Sequence, residues 1–118
     1  MGTWDSGPFG NDMAMDYVSE VVDSLMQPVN SFLEEPMIDE GFDEAFAAVA
    51  ILNEIMSRCG ARPWDVEAKA TVDPATIVTA MVTCFDEQID DMGPDPDFKT
   101  DQRAALVAEL DRFTQAFV

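Results

Sequence analysis

Residues 40–59, EGFDEAFAAVAILNEIMSRC, decide the fold. Phe42, Ala45, Phe46, Val49, Leu52, Ile55, Met56 and Cys59 return every three or four positions, which places them on one stripe of a helix and not on alternate faces of a strand. Asp43, Glu44 and Glu54 fall on the remaining faces, and Gly60 follows as a stop. An amphipathic helix of this length needs apolar partners to cover its stripe. The flanking segments supply them in the same period.

Upstream, Asn11 or Asp12 is expected to cap a helix whose apolar positions are Ala14, Tyr17, Val18, Val21, Val22, Leu25 and Met26. Pro28 is expected to end that helix, or to open a short one that buries Val29, Phe32 and Leu33. Pro36 to Gly41 reads as a connector. Downstream, residues 61–72 hold Pro63 and Trp64 and predict one helical turn with Trp64 filling the core. Asp73-Pro74 places a capping acid before a proline at the first helical position. Ile77, Val78, Met81, Cys84, Phe85, Ile89 and Met92 are the buried side of the helix that starts there. Gly93 to Asp97 is a loop by composition, and Thr100 is the expected cap of a last helix burying Leu106, Val107, Leu110, Phe113 and Phe117. No stretch alternates convincingly in the manner of a strand. The prediction is therefore an all-α protein, a compact bundle of four main helices plus one short helix. Its 118 residues suit a single domain, 1–118, with an N-terminal loop over residues 1–11 and the helical bundle over 12–118.

Charge narrows the classes of function. There are 24 acidic residues against 6 basic ones and no histidine, for a formal charge of −18. Residues 1–57 carry twelve of the acids and no lysine or arginine, so the two parts of the chain carry −12 and −6. Such a field repels nucleic acid and anionic membranes and attracts basic partners. Without histidine the commonest general base and zinc ligand are missing, and serine–histidine or cysteine–histidine nucleophiles cannot be assembled within the chain. Neither phosphate-cradling glycine pattern occurs. Cys59 and Cys84 lack metal-ligand spacing and read as small buried apolar residues. The segment from Asp95 to Lys99 fails the calcium-loop pattern, because lysine stands in a ligand position. The expectation is no catalytic residue, no metal and no cofactor. The chain start lacks a basic region followed by an apolar stretch, and no apolar run approaches a membrane span, so a cytoplasmic location is expected.

Two acidic clusters stand out as candidate partner-binding residues. Asp39, Glu40, Asp43 and Glu44 gather at the start of the long helix, where the helix dipole already favours acids. Asp86, Glu87, Asp90 and Asp91 gather near the end of another helix, where the dipole disfavours them. The second cluster therefore calls for a reason other than helix stability.

The chain opens Met1-Gly2-x-Trp4-x-x-Gly7-x-Phe9-x-Asn11-Asp12-x-Ala14-x-Asp16. This resembles the opening of an uncharacterised bacterial family of small helical domains of unknown function, whose members begin M-G-x-W-x-x-G-x-F-x-N-D. The sequence differs from the family's more usual pattern around Asp5 and Gly10. The resemblance implies a helical fold and a bacterial setting, and no reaction. In physical terms Gly2 and Gly7 allow tight turns, Trp4 and Phe9 plug the open end of the bundle, and Asn11-Asp12 cap the first helix. The alternative reading of the motif is a small pocket formed by Trp4, Phe9, Asn11, Asp12 and Asp16.

Together these features point to a non-enzymatic acidic protein-binding module, of the kind that inhibits a basic partner as an immunity protein or antitoxin does. The alternatives are a nucleic-acid mimic that blocks a DNA-binding protein, and a structural domain whose acidity serves solubility alone.

Overall fold

The computed structural model describes residue 8, residues 12–59 and residues 63–117, with side chains described for these residues other than 59 and 63–65. Among the described residues five α-helices follow one another: α1 (Asp12–Glu34), α2 (Glu40–Cys59), α3 (Pro63–Lys69), α4 (Pro74–Gln88) and α5 (Pro96–Gln115), with a 3-10 turn (Ile89–Met92) extending α4. There is no strand among the described residues. The protein is an all-α bundle of four long helices and one short one.

One apolar cluster holds the bundle together. Val18, Val22, Met26, Val29 and Phe32 from α1 meet Phe42, Ala45, Ala48, Val49 and Leu52 from α2. Ile77, Met81, Cys84 and Phe85 from α4 and Leu106, Leu110 and Phe113 from α5 join it, as does Val66 from α3. Phe42 is the junction: its ring centroid lies 5.8 Å from that of Phe32, 6.2 Å from Phe46 and 6.3 Å from Phe85. The first two pairs are edge-to-face and the pair with Phe85 is tilted at 35°; such packing adds to the area that the rings remove from water.

Polar ties set how the helices lie. Asn30 of α1 donates from Nδ2 to the Lys69 carbonyl at 2.8 Å and accepts from the Thr71 N–H at 3.1 Å, closing the end of α3 onto α1. Asn53 of α2 is 4% exposed, and its Nδ2 donates to both the carbonyl and the Oε2 of Glu109 on α5, at 2.8 and 2.9 Å. Arg112 reaches Glu54 at 3.0 Å beside it. Between α4 and α5, Arg103 grips both carboxylate oxygens of Asp86 at 2.8 and 3.0 Å, while Lys99 holds Asp90 at 2.7 Å. The higher-numbered partner on one helix meets the lower on the other, so α4 and α5 run antiparallel.

Four expectations from the sequence need correction. Pro28 neither ends α1 nor opens a new helix; it lies inside a continuous one. The proline lacks the N–H that would bond the Ser24 carbonyl, at a turn where Ser24 is exposed. Val29 and Phe32 meanwhile continue the stripe of Val18, Val22 and Met26 and hold the helix to the core. Tyr17 is not part of that stripe and is 68% exposed on its flank. Met92 is 64% exposed, because the chain turns away at left-handed Gly93 (φ 63°) before another described element covers it. Thr100 does not cap α5: its hydroxyl donates to the Pro96 carbonyl at 3.0 Å. Asp95 is the cap, accepting from the Asp97 N–H at 2.9 Å, and the loop shrinks to residues 93–95. Asp95-Pro96 repeats the Asp73-Pro74 device, in which Asp73 accepts from the Thr76 N–H at 2.8 Å. Hydrogen bonding to Thr76, through its side chain first and its backbone N–H second, holds the Asp73 carboxyl below its usual range.

Candidate functional site

The first acidic cluster is placed by the connector between α1 and α2. Gln88, the last residue of α4, clamps that connector with both ends of its amide. Its Oε1 accepts from the Ile38 N–H at 2.9 Å and its Nε2 donates to the Pro36 carbonyl at 3.0 Å. Asp39 then sets the entry to α2, its Oδ1 accepting from the Gly41 N–H at 2.8 Å. Gly41 leaves room for this carboxylate, since a Cβ there would lie 3.1 Å from the same oxygen. Glu40 and Asp43 occupy the first turn of α2 and Glu44 follows, all exposed, while Phe42 between them anchors the turn in the core. The positive end of the helix suits these carboxylates. None of the four forms an ion pair among the described residues.

The second cluster divides by role. Asp86 and Asp90 are the acidic halves of the α4–α5 ion pairs, which gives them the structural reason that the helix dipole denied. Hydrogen bonding to Arg103, assisted by the charges of Arg103 and Lys99, holds the Asp86 carboxyl below its usual range. Glu87 and Asp91 are exposed and have no ion pair among the described residues. Glu87 lies on the other flank of α4, by Cys84 and Pro36. Burial, then the nearby charges of Asp39 and Glu87, push the Cys84 thiol up, away from the reactive thiolate.

Where the connector meets the corner between α4 and α5, the surface folds into a groove of about 560 Å³. One wall carries Ile38, Asp39, Glu40 and Asp43; the other carries Ile89, Met92, Pro94, Phe98 and Gln102. Phe98 is 56% exposed. Three members of the first acidic cluster, Asp39, Glu40 and Asp43, thus line the groove together with Ile89 and Met92 at the two ends of the turn that carries Asp90 and Asp91. The clamp by Gln88 and the exposed pair Met92 and Phe98 escaped the sequence reading. One signal was present: Phe98, Gln102, Leu106 and Leu110 recur every four residues, so the buried stripe of α5 runs back beyond Thr100.

No three histidine, cysteine or acidic side chains among the described residues converge as metal ligands. No described helix is long and apolar enough to cross a membrane. Of the N-terminal motif, Asp12 and Asp16 are exposed on the first turns of α1. Gly2, Trp4, Gly7, Phe9 and Asn11 lie outside the described residues, as do the side chains of Cys59 and Trp64.

Comparison with curated proteins and with solved structures returned no match. Comparison with family models did: residues 2–116, nearly the whole bundle and most of the N-terminal motif, match one of them. The chain belongs to the family described as Domain of unknown function (DUF4259).

Proposed function

We propose that the domain is a non-catalytic module that binds a basic protein and covers a positively charged site on it, as an inhibitor of the immunity or antitoxin kind does. One observation carries this reading. Lys69, Lys99, Arg103 and Arg112, four of the six basic side chains, are each paired within the bundle, yet Asp39, Glu40, Asp43 and Glu44 have no cationic partner among the described residues. Carboxylates held together without counter-charges raise a local negative potential. A basic partner relieves that repulsion and is steered to the surface by it. The lack of histidine supports a binding role over an acid–base one.

The test is recovery of the partner from the native host at low salt, followed by reassembly of the purified pair over a range of salt concentrations. A basic protein is expected, with an association rate that falls steeply as salt rises. A neutral or acidic partner, or binding indifferent to salt, overturns the reading. A partner that releases duplex DNA when the domain binds would move it towards mimicry of phosphates.

A further inference from the structure

The groove beside the first acidic cluster has an apolar floor continuous with the core. On α5 the stripe Leu106, Leu110 and Phe113 is fully buried, and its next positions towards the N-terminus are Gln102 and then Phe98. On α4 the buried run ends at Ile89 and is followed by Met92. Both stripes therefore run past the edge of the bundle, and there Met92 and Phe98 are left 64% and 56% exposed. Two large apolar side chains side by side at a groove are a different matter from scattered surface ones. Gln102, which lines the same groove, keeps its Oε1 out of solvent with no hydrogen-bond partner among the described residues. The facing wall is the opposite in character: Asp39, Glu40 and Asp43 are carboxylates with no ion pair among the described residues.

We infer that this groove is the docking site for a basic amphipathic segment of the partner protein. Its apolar residues seat on Met92 and Phe98, and its lysine or arginine side chains face Asp39, Glu40 and Asp43. The inference rests on the proposed binding of a basic protein and adds where, and by what chemistry, that protein is held. Charge complementarity selects this occupant. A second copy of the chain would bring −18 against −18, an anionic membrane is repelled, and a purely basic tail would leave Met92 and Phe98 in water. Helix-in-groove recognition supplies both components at once, apolar anchors at helical spacing and charges on the flanks.

The probe is a synthetic helical peptide of about 14 leucine and lysine residues with the leucines on one face. Its control is the same composition scrambled so that no apolar face forms. Both are titrated against the full chain at about 150 mM salt. The amphipathic peptide is expected to bind at least about tenfold tighter than the scrambled one. Replacing Met92→Ser and Phe98→Ser together is expected to remove that preference. Replacing Asp39→Asn, Glu40→Gln and Asp43→Asn is expected to weaken binding and flatten its salt dependence. The exposed pair Met13→Ser and Tyr17→Ser is expected to change nothing, and circular dichroism checks that each variant keeps its helices. Equal, salt-sensitive binding of the two peptides overturns the groove and leaves the basic-partner reading standing, as does a preference lost at Met13 and Tyr17 instead. Failure of both peptides to bind even at low salt overturns both.

Discussion

Asn53 shows how one buried side chain decides a helix pairing. It sits among Ala48, Val49 and Leu52 on the core side of α2, yet its amide is spent on the main chain and carboxylate of Glu109. Burying that amide is tolerable only because its donor is used, although its Oδ1 has no partner among the described residues. Asn53→Asp keeps the shape and removes the donor, placing a buried carboxylate against a carbonyl and a second carboxylate. It is expected to lower stability by about 3 kcal/mol near neutral pH, read by urea unfolding. Asn53→Leu, which adds no charge, is expected to cost less. Equal losses for the two would show that packing, and not the amide, matters at this position. Nothing in the helical period of α2 marks Asn53 as special. The partner that makes it so lies on another helix.

At the scale of the elements, Pro28 and the α4–α5 pair carry the sharpest expectations. Proline within α1 is tolerated because core contacts on both sides hold the helix, so restoring the missing donor should help. Pro28→Ala is expected to raise stability by about 1–3 kcal/mol in thermal or urea unfolding. Unchanged or lower stability would mean that the ring's own packing outweighs the lost bond. Asp86 couples α4 to α5 through Arg103, and its carboxyl is held below the usual range. Its stabilisation is therefore complete above the ordinary carboxylate pKa of about 4 and is lost as pH falls through the lowered folded-state value. Asp86→Asn should accordingly be less stable than the parent near pH 7, by no more than about 1 kcal/mol for so exposed a pair. The difference should shrink as pH falls below the ordinary carboxylate value and through the lowered folded-state one. A gap that widens on acidification would reverse the sign of the argument.

A charge of −18 opposes compaction across the whole molecule, while five ion-pair contacts among the described residues oppose that repulsion locally. Four of these contacts join different elements, and salt weakens them as well as the general repulsion. The unpaired acids far outnumber the paired ones, so the repulsion is the larger quantity. The melting temperature is expected to rise by several degrees between about 20 mM and 500 mM sodium chloride. A fall would place the cross-helix pairs, and not the acidic surplus, in control of stability. The same surplus drives the proposed encounter with a basic partner, so salt should stabilise the free domain and weaken its complex. Opposite responses to one variable would follow from one cause, the excess of carboxylates.

The sequence by itself determined the helices and most of their buried stripes, because helical period and capping chemistry are local. Asp73-Pro74 and the run from Phe42 to Met56 state their structure within a few turns of chain. Even the misplaced start of α5 was written locally, in the Asp95-Pro96 pair. Tertiary structure alone decided where the acids went. Asp39 and Asp90 are far apart in the chain, and only the Gln88 clamp and the folding of α5 against α4 bring their segments to one groove. It also decided which carboxylates are neutralised, since Asp86 and Asp90 find their cations on another helix and those at the start of α2 find none among the described residues. Charge acts through space, over distances that a one-dimensional reading of spacing does not contain.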